Sequence, residues 1–112
     1  MIDYGKMAVA NSVLAEIEKQ AGALSLYLEA YSNGREQGYS VWSTDNNRRV
    51  AFSEYRNADF IVVYPGVYSD FAMQGNVPNK PAYQWQQGFN AGDYKGAAKW
   101  IVEYLGGQID LS

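Results

Sequence analysis

The chain has 112 residues, a length that suits one domain around one modest core. It contains no Cys and no His, which excludes disulfides, thiolate metal sites and cysteine nucleophiles and removes the commonest general base. A net charge of −3 with 47% hydrophobic and 19% charged residues describes a folded, mildly acidic chain, poorly suited to gripping extended nucleic acid.

The N-terminal residues carry no basic stretch followed by an apolar run, so neither a signal peptide nor a membrane span is expected. Residues 4–21 read as a helix. Met7, Ala10, Val13, Leu14, Ile17 and Ala21 recur at helical spacing, with Asp3 as the expected N-cap and Gly22 as the stop. The stripe also has a heptad rhythm, which would suit a seam between subunits or packing on the protein's own sheet. From Leu24 the period changes to two, and Leu24, Leu26, Leu28 and Ala30 mark a strand. Asn33-Gly34 is a turn signal. Tyr39 to Thr44 and Arg48 to Tyr55 form two further runs, joined by Asp45-Asn46-Asn47. Phe60 to Tyr64 is apolar on both faces and should be the most buried strand, ended by Pro65-Gly66. Residues 66–92 mix Gly, Pro, Asn and Gln with aromatic rings and read as an irregular loop, with a short helix around 82–87 as an option. Asp93 caps a last helix through Tyr104, which Gly106-Gly107 stops. The expected fold class is α+β, one domain over 1–112: an N-terminal helix, a four-stranded antiparallel meander, an irregular aromatic loop and a C-terminal helix.

Candidate chemistry concentrates in two places. Glu54, Tyr55, Arg56, Asn57 and Asp59 lie together between two apolar strands. A guanidinium there suits a phosphate or carboxylate, although an internal ion pair that shapes the turn would use the same residues. The aromatic loop supplies Phe71, Tyr83, Trp85 and Phe89 as stacking faces, and Gln74, Asn76, Asn79, Gln84 and Asn90 as amides able to read a base edge. The competing use is a lid over the sheet or a subunit contact. Arg48 and Arg49, at a turn, read as solvated edge charges. Glu54, Asp59 and Asp70 are the carboxylates a hydrolase would need, but sequence spacing does not bring any two face to face.

The stretch Arg49-Val50-Ala51-Phe52-Ser53-Glu54-Tyr55-Arg56-Asn57-Ala58-Asp59-Phe60-Ile61-Val62-Val63-Tyr64, followed by Ser69-Asp70-Phe71-Ala72-Met73-Gln74-Gly75-Asn76, resembles the first-described type of phage Thoeris anti-defence protein. That resemblance implies a sponge: a protein that sequesters cyclic ADP-ribose isomers made by bacterial TIR-domain immune enzymes and does not cleave them. Some members also bind cyclic oligonucleotides at a separate site. The resemblance further implies a homo-oligomer with pockets at subunit contacts. Arg56 would face the diphosphate, with Asn57 and Tyr55 beside it. A ring from Phe71, Tyr83 or Phe89 would stack on adenine, and Asn90 or a neighbouring amide would read the base. The second cation the family pattern asks for has only Lys95 and Lys99 to supply it.

The ligand-binding set expected from these readings is Tyr55, Arg56, Asn57, Phe71, Gln74, Tyr83, Trp85, Phe89, Asn90 and Lys99. No catalytic residue, metal or cofactor is expected. The expected partner is a small nucleotide-like ligand in the cytoplasm (a host's, if the chain is phage-encoded), with no extended nucleic acid and no membrane. The alternative is a protein-binding inhibitor of a host defence complex.

Overall fold

The computed structural model describes residues 7–55 and 59–109. In chain order the elements are α1 (Ala8–Gln20), β1 (Leu26–Ser32), β2 (Gln37–Ser43), β3 (Arg48–Tyr55), β4 (Phe60–Pro65), α2 (Tyr68–Gln74), β5 (Gln87–Asn90) and α3 (Tyr94–Leu105). Short 3-10 turns at Ala82–Gln84 and Ala91–Asp93 flank β5. All strands join one antiparallel sheet in the order β1-β2-β3-β4-β5.

The meander of the first four strands is present, but the sheet has five strands rather than four. The expected irregular loop contains both α2 and β5. Each is too short to leave a period in the sequence: α2 has seven residues and β5 four. β5 pairs with β4 through Ile61–Phe89 and Val62–Gly88, so tertiary pairing defines a strand that its own residues do not announce. The helix considered around 82–87 is a single 3-10 turn.

Alternation along the strands divides the sheet into two unlike faces. One face presents Val41, Val50, Phe52, Ile61 and Val63 to Ala10, Val13 and Ile17 of α1 and to Ala97, Ala98, Ile101 and Leu105 of α3. These side chains are buried, and each large one contributes about 1.5–3 kcal/mol through removal from water. The apolar stripe of α1 is therefore used inside the chain. The other face carries a smaller cluster of Tyr31, Ala51, Val62 and Tyr64, covered by Ala72 of α2 and by Trp85.

Polar contacts fix the helices to the sheet. Asp3, the expected cap of the first helix, lies outside the described residues; Met7 occupies the N-cap position of α1 and caps with no side-chain bond. The orphan N–H of Ala10 donates instead to Glu54 Oε1, at 2.9 Å, from the middle of the sheet. A carboxylate at a helix N-terminus is also favoured by the helix dipole. The end of α1 follows expectation, with Gly22 at φ +61°. Asp93 caps α3 by accepting from Gly96 N at 3.2 Å, and Gly107 at φ +82° turns the chain out of it.

Arg48 departs from the expected solvated edge charge. Its Nη1 donates to the carbonyls of Tyr104, at 3.0 Å, and Ile109, and its guanidinium lies 4.8 Å from the Tyr104 ring centre. It thus satisfies carbonyls at the end of α3, where a cation is favoured. Arg49 points to the opposite face and bridges to Asp70 of α2 at 2.6 Å.

Candidate functional site

The second sheet face is only partly covered, because α2 is short and its chain then leaves the sheet. Between α2, the turn preceding β2 and the segment around Trp85 lies an open cleft of about 310 Å³. Its lining includes Arg35, Glu36, Val62, Tyr64, Asn76 and Trp85.

The sequence builds this cleft from four places. β4 alternation directs Val62 and Tyr64 to this face while Ile61 and Val63 enter the main core. Trp85 follows the 3-10 turn at Ala82–Gln84 and packs flat on Tyr64, with ring centroids 5.6 Å apart and planes 14° apart. Its Nε1 donates to Lys80 O at 3.0 Å, which sets the ring's direction. Asn33 positions the acidic side. Its Oδ1 accepts from the N–H groups of Arg35, at 2.7 Å, and Glu36, at 2.9 Å. Its Nδ2 donates to Ala72 O near the end of α2, at 2.5 Å. Gly75 then terminates α2 at φ +76°, a conformation that favours glycine.

Glu36 is the chemically distinctive group. Its Oε2 accepts from the Tyr64 hydroxyl at 3.2 Å. Burial pushes its carboxyl above the ordinary carboxylate range, against the lowering influence of Ser53, Tyr64 and the Arg35 charge. Burial, with the nearby Glu36 charge, likewise pushes the Tyr31 and Tyr64 phenols well above their usual range. Ser53 Oγ neighbours Tyr31 and Glu36 and lowers the proton affinity of both. Yet neither Ser53 Oγ nor the Tyr31 hydroxyl closes a hydrogen bond of normal geometry. Gly38 makes this polar pit possible: it pairs with Tyr31 on one side and Ser53 on the other. A Cβ at Gly38 would fall 2.0 Å from the Phe52 carbonyl oxygen.

The expected ligand-binding residues are dispersed. Trp85 lines the cleft; Gln74 does not, and it accepts from the Nδ2 of the lining residue Asn76 at 3.2 Å. Tyr83 is exposed and shares with Trp85 a second, shallower depression of about 540 Å³. Phe71 lies on the outer side of α2 against Tyr68. Phe89 packs into the helix-side core, on the face opposite Trp85. Asn90 is exposed at the end of β5 beside Phe60, and Lys99 pairs with Glu103 on the outside of α3 at 3.9 Å. Tyr55 ends β3; Arg56 and Asn57 lie outside the described residues. Of the expected set within the described residues, the cleft therefore includes Trp85, and Gln74, Phe89 and Lys99 do not line it.

Sequence reasoning did not single out Arg35, Glu36 or Tyr64. The available signal was Gly38, a glycine inside a strand, which marks a close backbone approach. Of the three carboxylates weighed for hydrolysis, Glu54 and Asp70 lie on opposite faces of the sheet. Glu54 caps α1 on the helix face, whereas Asp70 pairs with Arg49 on the other face. Among the described residues no cluster of three or more acidic side chains is arranged to hold a metal ion, and no helix is long and apolar enough to cross a membrane. Comparison with family models, with curated proteins and with solved structures finds no match to this chain.

Proposed function

We propose that this chain is a non-catalytic binding protein that sequesters a small nucleotide, of the cyclic signalling kind expected from the sequence, with one base held in the sheet-face cleft. The observation that carries the reading is the composition of that cleft. Trp85 and Val62 give an apolar wall, Asn76 and Gln86 give amides, Glu36 gives an inward acceptor and Arg35 gives a cation at the mouth. A volume of about 310 Å³ lies at the small end of ordinary ligand sites, roughly 300–1,000 Å³, and suits a base rather than a whole dinucleotide. Absence of catalysis is part of the proposal. It is supported by the structural bonds that occupy Glu54 and Asp70. Mass spectrometry of the denatured protein, purified from cells that make cyclic nucleotide signals, should release an intact nucleotide in stoichiometric amount. Calorimetry with cyclic ADP-ribose isomers and cyclic dinucleotides should identify its class. Folded protein that binds none of them would refute the reading.

One observation favours a second reading, an inhibitor that docks on a host protein. Tyr27 and Trp42 are exposed together at the β1–β2 edge, with their rings 5.9 Å apart. On this reading a stoichiometric host protein co-purifies with the chain. Tyr27→Ser with Trp42→Ser releases it, and changes in the cleft do not.

A further inference from the structure

The geometry points to Glu36 as the residue that selects the base, and to guanine as the base selected. This inference rests on the nucleotide-binding reading above and narrows it to guanine-containing cyclic nucleotides, against the adenine-containing cyclic ADP-ribose isomers. Glu36 is turned into the cleft, and an ionised carboxylate offers about four acceptor positions and no donor. The Tyr64 hydroxyl fills one position on Oε2. The Ser53 hydroxyl lies beside the same carboxyl, and the positions left over can accept two parallel N–H groups from one planar edge. Among the common bases only guanine presents two adjacent donors, N1–H and the N2 amino group. Adenine and cytosine each present an amino group beside a ring acceptor, which would face carboxylate oxygen lone pair to lone pair. Uracil presents one N–H between two carbonyls.

Arg35 decides against the other ligands that carboxylates attract. A cationic amine or guanidinium would also satisfy Glu36, but the Arg35 charge acts at the same carboxyl and would repel it. A neutral donor edge with an anionic tail suits both residues at once: the base meets Glu36 within the cleft, and the phosphate meets Arg35 at its mouth. Burial sharpens the selection, because a polar edge that leaves a desolvated carboxylate unpaired loses more than a matched edge gains.

The test is calorimetry on the full chain with GMP, IMP, AMP, CMP and UMP. Inosine differs from guanosine only by lacking the N2 amino group, so it removes one donor with the protein unchanged. GMP should bind about tenfold more tightly than IMP and at least tenfold more tightly than AMP, the change expected for one hydrogen bond to a charged group. Glu36→Gln, checked for folding by circular dichroism, should bring GMP and AMP within about threefold of each other. Equal affinity of the unaltered chain for GMP, IMP and AMP overturns the guanine assignment and leaves nucleotide binding standing. A preference for GMP that survives Glu36→Gln overturns the role of Glu36. Binding of no nucleotide, mononucleotide or cyclic, overturns both this inference and the function on which it rests.

Discussion

Asn33 Nδ2 donates to the Ala72 carbonyl at 2.5 Å and so fastens the β1–β2 turn to the far end of α2. The same side chain accepts from the N–H groups of Arg35 and Glu36. One residue therefore fixes both banks of the cleft. Asn33→Ala should cost about 1–3 kcal/mol, since it removes a donor and an acceptor that serve partly buried backbone groups. For a domain near this size each kcal/mol lowers Tm by roughly 4–8 °C. Thermal denaturation followed by circular dichroism measures the loss. Ligand affinity should fall further than in an equally destabilised core variant such as Ile101→Val.

Glu54 and Ala10 form a cap that crosses from sheet to helix. Glu54→Ala should destabilise by about 0.5–2 kcal/mol, the usual range for loss of an N-cap acceptor. Glu54→Gln keeps an oxygen acceptor but loses the favourable charge at the helix N-terminus, so it should cost less. Urea unfolding with an unchanged m value would confirm a pure stability effect. A loss of ligand affinity in Glu54→Gln would contradict the purely structural role.

The adjacent arginines should behave oppositely. Arg48→Ala leaves the Tyr104 and Ile109 carbonyls without their cation and removes the guanidinium from the Tyr104 ring, at an expected cost of about 1–3 kcal/mol. Lys at this position should recover only part, because an ammonium lacks the planar fork. Arg49→Ala breaks a pair whose two side chains are both largely in water, so its cost should stay below about 1 kcal/mol. Parallel denaturant curves for the two variants test the contrast.

Stability should fall with rising pH in two separate windows. Glu36 has a folded pKa raised from about 4.5 by burial, so just above that value the folded chain holds a proton that the unfolded chain has released. Stability contributed by the neutral carboxyl is present at lower pH and lost as pH rises through the folded pKa. Tyr31 and Tyr64 repeat the pattern above pH 10, since both phenols resist ionisation only in the fold. Stability measured from pH 4 to 11 should therefore decline first on account of Glu36 and again in alkali. Glu36→Gln should flatten the first decline. Tyr64→Phe should reduce the second, and it should also raise the Glu36 pKa by removing a hydrogen bond to the carboxylate.

Local signals made much of the fold legible. β3 runs from Arg48 to Tyr55 as its alternation predicts, and α3 lies between its Asp93 cap and the Gly106-Gly107 stop. The fifth strand was not legible, because Gln87–Asn90 contains a glycine and too few residues for a period, and it is a strand through its pairing with β4. The cap on α1 was not legible for a related reason: Glu54 is 44 residues from Ala10. The cleft shows the same division. Trp85 stands out by its type, but Glu36 and Tyr64 meet across 28 residues, and only the sheet register brings them together. Phe89 illustrates the converse. Its ring suits stacking on a base, yet strand alternation turns it into the helix-side core.

The two faces of the sheet carry different physical loads. Phe52 and Ile61 on the helix side carry the folding free energy, and a change there jeopardises the whole domain. The residues around the cleft rim (Arg35, Asn76 and Gln86) contribute little to that core. Rim residues can therefore be exchanged one at a time on a scaffold that stays folded throughout.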